Sequence, residues 1–306
     1  MVSKSHSRAA RAAPRKPRGR RVRTVARRRP ARWRRRAFRA VWASPLTVRV
    51  LVGVVVIVVA WSAANWVYQT IRKPTELFFP VSDALAKAPS ETWRTYGPLF
   101  SKHSTAVITP GLLAALAQVE GGGNPVARTY WRWRVTRNPF EVYQPASSAV
   151  GMYQITNGTF REAKRYCIHD HVVVEDGPWD DVRSCWFNSL YTRVVPSHAI
   201  ELTAALLDRG VARTMGRQRI AATLRQKQDL AAVIHLCGAG AGDAYAARGF
   251  RLTAGQRCGD HDVSAYLTQV NGLRRRFARL AAAGSRTQLG EGLAPTYWGR
   301  STIAGG

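Results

Sequence analysis

The longest apolar run in the chain reads LVGVVVIVVAWSAANWVY over Leu51–Tyr68. No charged residue falls between Arg49 and Arg72, a gap of 22 residues. At 1.5 Å per residue that gap is long enough for a hydrocarbon core of about 30 Å. Trp61, Trp66 and Tyr68 crowd its C-terminal half, as an interfacial aromatic belt does. The pattern predicts one membrane-spanning helix over residues 46–70. Beyond it the apolar positions fall at helical spacing in several places. After Thr109-Pro110, the residues Leu112, Leu113, Leu116 and Val119 form an apolar stripe that ends at Glu120. Gly121-Gly122-Gly123-Asn124-Pro125 then stops the helix. Helices are also predicted near Val81–Ala88 and over Asn157–Tyr166, Trp179–Arg193, Ser197–Arg209, Gln228–Cys237 and Val263–Ala283. Arg128–Tyr143 alternates aromatic and basic residues around Asn138-Pro139 and predicts a hairpin or irregular β segment. The run from Cys237 to Gly242 is read as a glycine-rich loop.

The expected fold is therefore mainly α with a small β element, preceded by a single transmembrane helix. Residues 1–45 form an arm, 46–70 the span and 71–107 a lead-in. Residues 108–284 form one domain and 285–306 a flexible tail. Charge sharpens this division. The chain carries a formal net charge of +29, and residues 1–50 hold 18 Lys or Arg and no acid. Rich in Arg, Ala and Pro, the arm lacks the apolar surface to fold and is expected to be disordered. Basic residues before a span place the N-terminus in the cytoplasm and the rest of the chain outside it. The arm then meets anionic lipid headgroups or a cytoplasmic partner. Nucleic acid is the weaker reading, since nothing in the arm reads bases.

All four cysteines, Cys167, Cys185, Cys237 and Cys258, follow the span. None forms a closely spaced pair of the zinc-ribbon kind, so no metal site is expected. An oxidising compartment favours two disulfides, for which three connectivities exist. The sequential pairing, Cys167 with Cys185 and Cys237 with Cys258, is favoured. Each loop it closes is about 20 residues and contributes roughly 3 kcal/mol in the chain-entropy view.

Candidate chemistry centres on Glu120. A carboxyl at the end of an apolar helix, beside glycines, is shielded on one side and open on the other, which suits a general acid. The glycines let a bulky polymer approach. A second compact run, Ser147-Ser148-Ala149-Val150-Gly151-Met152-Tyr153-Gln154-Ile155-Thr156, follows.

Together these runs resemble the transglycosylase domain of the soluble-lytic-transglycosylase type, whose core is lysozyme-like. That family has Glu-Ser-x-x-Asn-Pro, matched by Glu120–Pro125, and Gly-Leu-Met-Gln-Ile, matched by Gly151-Met152-Tyr153-Gln154-Ile155. A Thr or Ser then opens a helix, as Asn157-Gly158-Thr159-Phe160 does here. The family's Tyr-Asn-Ala-Gly-x-Gly corresponds to Cys237-Gly238-Ala239-Gly240-Ala241-Gly242. Its later Tyr before an apolar helix corresponds to Tyr266. The resemblance covers about residues 108–283. It implies non-hydrolytic cleavage of the β-1,4 bond between N-acetylmuramic acid and N-acetylglucosamine, with a 1,6-anhydro product and no cofactor. Glu120 would act as both acid and base. Ser147 or Ser148 would bond to Glu120 or to the sugar. Gly151, Met152, Tyr153 and Gln154 would line the cleft, and Tyr266 would orient Glu120 or the substrate.

Two departures stand out. Gly121 replaces the family Ser, and Cys237-Gly238 replaces Tyr-Asn, leaving His235 or Tyr245 to fill the place. Trp131 and Trp133 either add a sugar-stacking wall or cover the core. A hydrolase would need a second carboxylate. Glu141, Asp170, Asp176, Asp180 and Asp181 are the candidates, which keeps a lysozyme-like hydrolase as an alternative. A non-catalytic wall-binding component of an envelope-spanning machine is another. The expected partners are peptidoglycan strands, inner-membrane lipids and, for a fixed anchor cutting locally, a secretion or conjugation apparatus. The exported part would lie in the periplasm, where its net +11 favours approach to an anionic wall polymer.

Overall fold

The computed structural model describes residues 39–78, 83–181 and 183–291. The first 38 residues of the basic arm lie outside the described residues, as does the final part of the tail from 292. Residues 39–42 are helical, so the last turn of the arm is ordered. The chain divides into two compact units, one ending at Trp61 and the other beginning at Ser62.

The first unit is dominated by helix α1 (Leu46–Arg72), which continues into the second unit. It is long and apolar enough to cross a membrane, with a mean hydropathy of 2.3. Its Val and Ile side chains from Val54 to Val59 are exposed. Residues 62–72 already belong to the second unit. There the Asn65 amide donates to the Tyr143 carbonyl at 2.8 Å and the Gln69 amide to the Phe140 carbonyl at 2.6 Å.

The second unit is mainly helical. Its helices are α2 (Pro89–Lys102), α3 (Pro110–Gly121), α4 (Asn157–Ala163), α5 (Pro196–Gln218), α6 (Leu224–Cys237), α7 (Ala239–Ala247) and α8 (Val263–Glu291). Three antiparallel hairpins accompany them: β1 (Trp131–Trp133) with β2 (Tyr143–Pro145), β3 (Tyr166–His169) with β4 (Val172–Glu175), and β5 (Arg257–Cys258) with β6 (His261–Asp262).

Helix α3 is the hub. Leu112 through Ala117 are all fully buried, so the helix is covered on every side, as a central core helix must be. Each buried leucine contributes about 1.5–3 kcal/mol. Pro110 starts the helix, where a missing N–H costs nothing. Gly122 ends it in the left-handed conformation, φ 58°, its N–H donating to the Gln118 carbonyl and the Gly123 N–H to the Ala117 carbonyl. Helices α2 and α8 pack directly on α3, while α5, α6 and α7 form a second packed group joined to α8 through α6.

Several elements differ from expectation for identifiable reasons. The lead-in is part of the fold, because α2 buries Thr92, Tyr96 and Phe100 against the core. The folded unit therefore starts well before residue 108. The helix near Val81–Ala88 falls partly on undescribed residues, and Asp83–Leu85 is a single 3-10 turn. Helix α4 stops at Ala163, and Tyr166 instead opens β3. Its partner β4 is a β-branched run joined by a two-residue turn, Asp170-His171, both left-handed at φ 48° and 64°. That is the geometry of a tight hairpin turn without its usual glycine. No α-helix forms over Trp179–Arg193. The Ser184 hydroxyl donates to the Pro178 and Asp181 carbonyls, drawing the backbone into turns, and only a 3-10 segment, Trp186–Leu190, remains. The glycine-rich stretch is helix α7. A Cβ at Gly242 would meet Ile234 Cγ1 at 2.4 Å, so that glycine serves the close packing of α7 on α6. Helices α5 and α8 run further than their patterns predict, and residues 285–291 of the supposed tail are helical.

Both cysteine pairs sit at disulfide distance in the sequential pairing. Cys167 faces Cys185 and Cys237 faces Cys258, each with Cα atoms 5.4 Å apart.

Candidate active site

Glu120 is the last-but-one residue of α3, and the glycine stop after it leaves its side chain at the edge of the core. Its side chain is 17% exposed. It opens into a cleft of about 810 Å³. Five parts of the chain surround it. Tyr130 and Arg132 come from the first hairpin, Ser147 and Gln154 from the second motif, and His235 from the end of α6. Asp260, His261 and Asp262 come from the third hairpin, with Tyr266 and Gln269 from α8 completing the wall.

Two side chains fix Glu120. The Tyr266 hydroxyl donates to Oε1 at 2.6 Å, joining residues 146 apart in sequence. His235 Nε2 lies 3.6 Å from the same oxygen. Among the described residues no protein group hydrogen-bonds Oε2, which is left to face the cleft. Burial, and then the charge and hydrogen bond of Glu120, push the Tyr266 phenol well above its ordinary range. Tyr266 therefore stays a neutral donor at any physiological pH. The His235 ring is held edge-on against buried Tyr153, with centroids 6.5 Å apart. One turn of chain further, Cys237 is tied to Cys258, which joins the end of α6 to the hairpin bearing Asp260.

The expected site residues divide. Glu120, Ser147, Gln154 and Tyr266 meet around the cleft. Gln154 stands at φ 47°, and its amide donates to the Gly151 and Ala127 carbonyls at 2.9 and 3.2 Å. The Ser147 hydroxyl accepts from the Ala149 N–H at 3.1 Å, so it shapes the turn and does not reach Glu120. Ser148 faces a different pocket, shared with Arg72, Lys73 and Arg193. Gly151, Met152 and Tyr153 are buried and do not line the cleft. Met152 and Tyr153 are core residues, and the Tyr153 hydroxyl donates to the Leu113 carbonyl at 3.2 Å. Gly151 is required by its φ of 80° and by the Arg193 carbonyl, which a Cβ would meet at 2.4 Å.

The departures from the family pattern also find physical reasons. A Cβ at Gly121 would lie 2.8 Å from the Met152 Cα, so the residue after Glu120 has room only for hydrogen. His235, not Tyr245, stands beside the carboxylate; Tyr245 is buried against Phe250. Trp131 does not form a sugar platform, because its indole donates to buried Glu76 at 2.9 Å. Tyr130, 64% exposed, is the aromatic residue of this segment that lines the cleft.

None of Glu141, Asp170, Asp176, Asp180 and Asp181 lines the cleft. Glu141 pairs with Arg72 at 2.8 Å. Sequence reasoning missed Asp260 and Asp262, which the third hairpin brings opposite the motif residues. Asp262 is committed to starting α8, its Oδ1 accepting from the Ala265 N–H at 2.7 Å. The only sequence signal for the hairpin was the cysteine at its base. The described residues contain no group of His, Cys, Asp and Glu able to hold a metal ion. No protein-family model, no curated protein and no solved structure matches this chain.

Proposed function

We propose that the chain is a membrane-anchored peptidoglycan lytic transglycosylase with a lysozyme-like domain. The observation that carries this reading is the meeting of Glu120 and Tyr266 in one cleft of about 810 Å³. It joins the first and last motifs of the family resemblance through a direct hydrogen bond.

Tyr266 and His235 occupy one carboxyl oxygen and leave the other for chemistry. In the reading proposed, protonated Glu120 gives its proton to the glycosidic oxygen as the C1–O bond breaks. The departing sugar leaves with a free hydroxyl. The carboxylate then takes the proton of the muramyl C6 hydroxyl as that oxygen closes on C1, and Glu120 is regenerated without water. One carboxyl suffices for both transfers. Tyr130 offers a stacking face, and Arg132 offers charge for an anionic, carboxylate-bearing polymer. Helix α1 would span the inner membrane with the basic arm inside and the domain in the periplasm, where oxidising conditions favour both disulfides.

Asp260 supports a second reading, a hydrolase, because it lines the same cleft as Glu120. One digestion separates the two. Full-length protein in detergent, wild type and Glu120→Gln, is incubated with purified sacculi, and the products are identified by mass. Anhydro-ended fragments from the wild type alone support the transglycosylase. Reducing ends that vanish in Asp260→Asn establish the hydrolase. A folded wild type that releases nothing and only sediments with sacculi identifies a binding component instead.

A further inference from the structure

Away from the Glu120 cleft, three polar side chains converge where the end of α2 meets the start of α5. His103 caps α2 and is 5% exposed. Its Nε2 lies 2.8 Å from the hydroxyl oxygen of Ser197, the second residue of α5. Its Nδ1 lies 3.5 Å from Glu201 Oε2, one turn further along the same helix. Ser197 and Glu201 are four apart and so share a helix face, with the imidazole between them. Glu201 is itself held. Its Oε1 accepts from the Ile168 N–H at 3.1 Å and its Oε2 from the Tyr191 hydroxyl at 2.9 Å. Ser197 is half-buried and so reachable from solvent.

Each feature fits nucleophilic catalysis better than simple packing. Burial holds the His103 imidazole below its ordinary range; Glu201 opposes this, while Lys102 and His198 add to it. A neutral imidazole at that position is free to take the serine proton. Pro196 has no N–H to offer, but the first N–H groups after it, at the N-terminus of α5, have no intrahelical partners. They carry the positive end of a 23-residue helix, suited to a developing oxyanion.

We propose that Ser197, His103 and Glu201 form a serine esterase centre, separate from the Glu120 cleft and acting on carboxylic esters. The Ser197 oxygen attacks the ester carbonyl carbon while its proton passes to His103 Nε2. The bond from carbonyl carbon to alkoxy oxygen breaks, and the alcohol leaves with the proton from His103. Water, deprotonated by His103, then attacks the acyl-serine, releasing the carboxylic acid and restoring the hydroxyl. Glu201 positions His103 and balances the imidazolium formed in both steps. Neither step needs a further reactant.

The test uses the full chain in detergent with a fluorophosphonate probe, followed by peptide mass spectrometry and by hydrolysis of p-nitrophenyl acetate. The expected result is a single adduct on Ser197 and ester hydrolysis that both disappear in Ser197→Ala. Glu120→Gln leaves both unchanged, which separates this centre from the proposed transglycosylase. His103→Gln lowers the labelling rate by roughly 10²–10⁴, the ordinary contribution of a general base. Glu201→Gln lowers kcat without raising KM, and Glu201→Asp restores part of it. Because His103 and Glu201 are buried, Ser197→Ala is the deciding variant, with its melting curve as the control. A folded wild type that takes no adduct at Ser197, or hydrolysis that survives in Ser197→Ala, overturns the proposal.

Discussion

Two glutamates flank the first hairpin of the domain and are treated in opposite ways. Glu76 is completely buried. Lys73 stands 3.3 Å from one of its oxygens, with Arg128 at 3.4 Å and the Trp131 indole at 2.9 Å from the other. Glu120 has no Lys or Arg within ion-pair distance among the described residues, only a phenol and an imidazole on one oxygen. A carboxylate caged by cations holds structure together. One held by a neutral donor on one side only keeps a free oxygen to exchange a proton. The difference lies in the neighbours and the burial, not in the residue type.

The sharpest way to break this contrast is to remove each carboxylate in turn. Glu120→Gln keeps the shape and the Tyr266 contact, so activity on sacculi should fall by about 10²–10⁴ with the melting curve unmoved. An equal loss of stability would mean that Glu120 is structural after all. Glu76→Ala should behave in reverse. It strands Lys73 and Arg128 in the interior and should cost about 3–5 kcal/mol in chemical denaturation. A loss below 1 kcal/mol would show that the cage does not matter to the fold. Smaller is Gly121→Ser, which drives a Cβ into the Met152 backbone. About 1–3 kcal/mol should be lost, the usual cost of overpacking. Tyr266→Phe comes next, at about 1 kcal/mol from the missing hydrogen bond, with a fall in kcat larger than the change in KM.

The smallest effect is a pH dependence. The folded-state pKa of His103 is lowered from 6.5, so the unfolded chain binds the proton more readily. Stability supplied by this group is present above about pH 6.5 and declines as the pH falls below it, with a slope of at most about 1.4 kcal/mol per pH unit. Denaturation curves measured between neutral and mildly acidic pH should show that slope in the wild type and a shallower one in His103→Gln.

The legible parts of the molecule were those written locally. Helix α3 announced itself through Leu112, Leu113, Leu116 and the glycines after Glu120, and α1 through its uncharged apolar run. The Glu120–Tyr266 pair was visible through the order of the motifs. What stayed hidden depended on contacts between elements distant in sequence. His235 reaches the carboxylate only because α6 packs beside α8, and the pattern of α6 alone gives it no special place. Met152 and Tyr153 looked like cleft residues because their neighbour Gln154 is one. The left-handed backbone at Gly151 and Gln154 turns the segment so that Met152 and Tyr153 enter the core while Gln154 faces the cleft. Helix α7 was hidden by composition, since its Gly242 serves close packing on α6 and not flexibility.

The bond between Cys237 and Cys258 ties together two stretches that converge on the Glu120 carboxylate. Two residues before Cys237 stands His235, and two residues after Cys258 stands Asp260. A chain still in a reducing compartment therefore has every residue of the cleft but lacks the clasp that holds its far wall in place. Oxidation of this pair becomes the final step of assembly, and the cleft around Glu120 gains its clasped far wall only once it occurs.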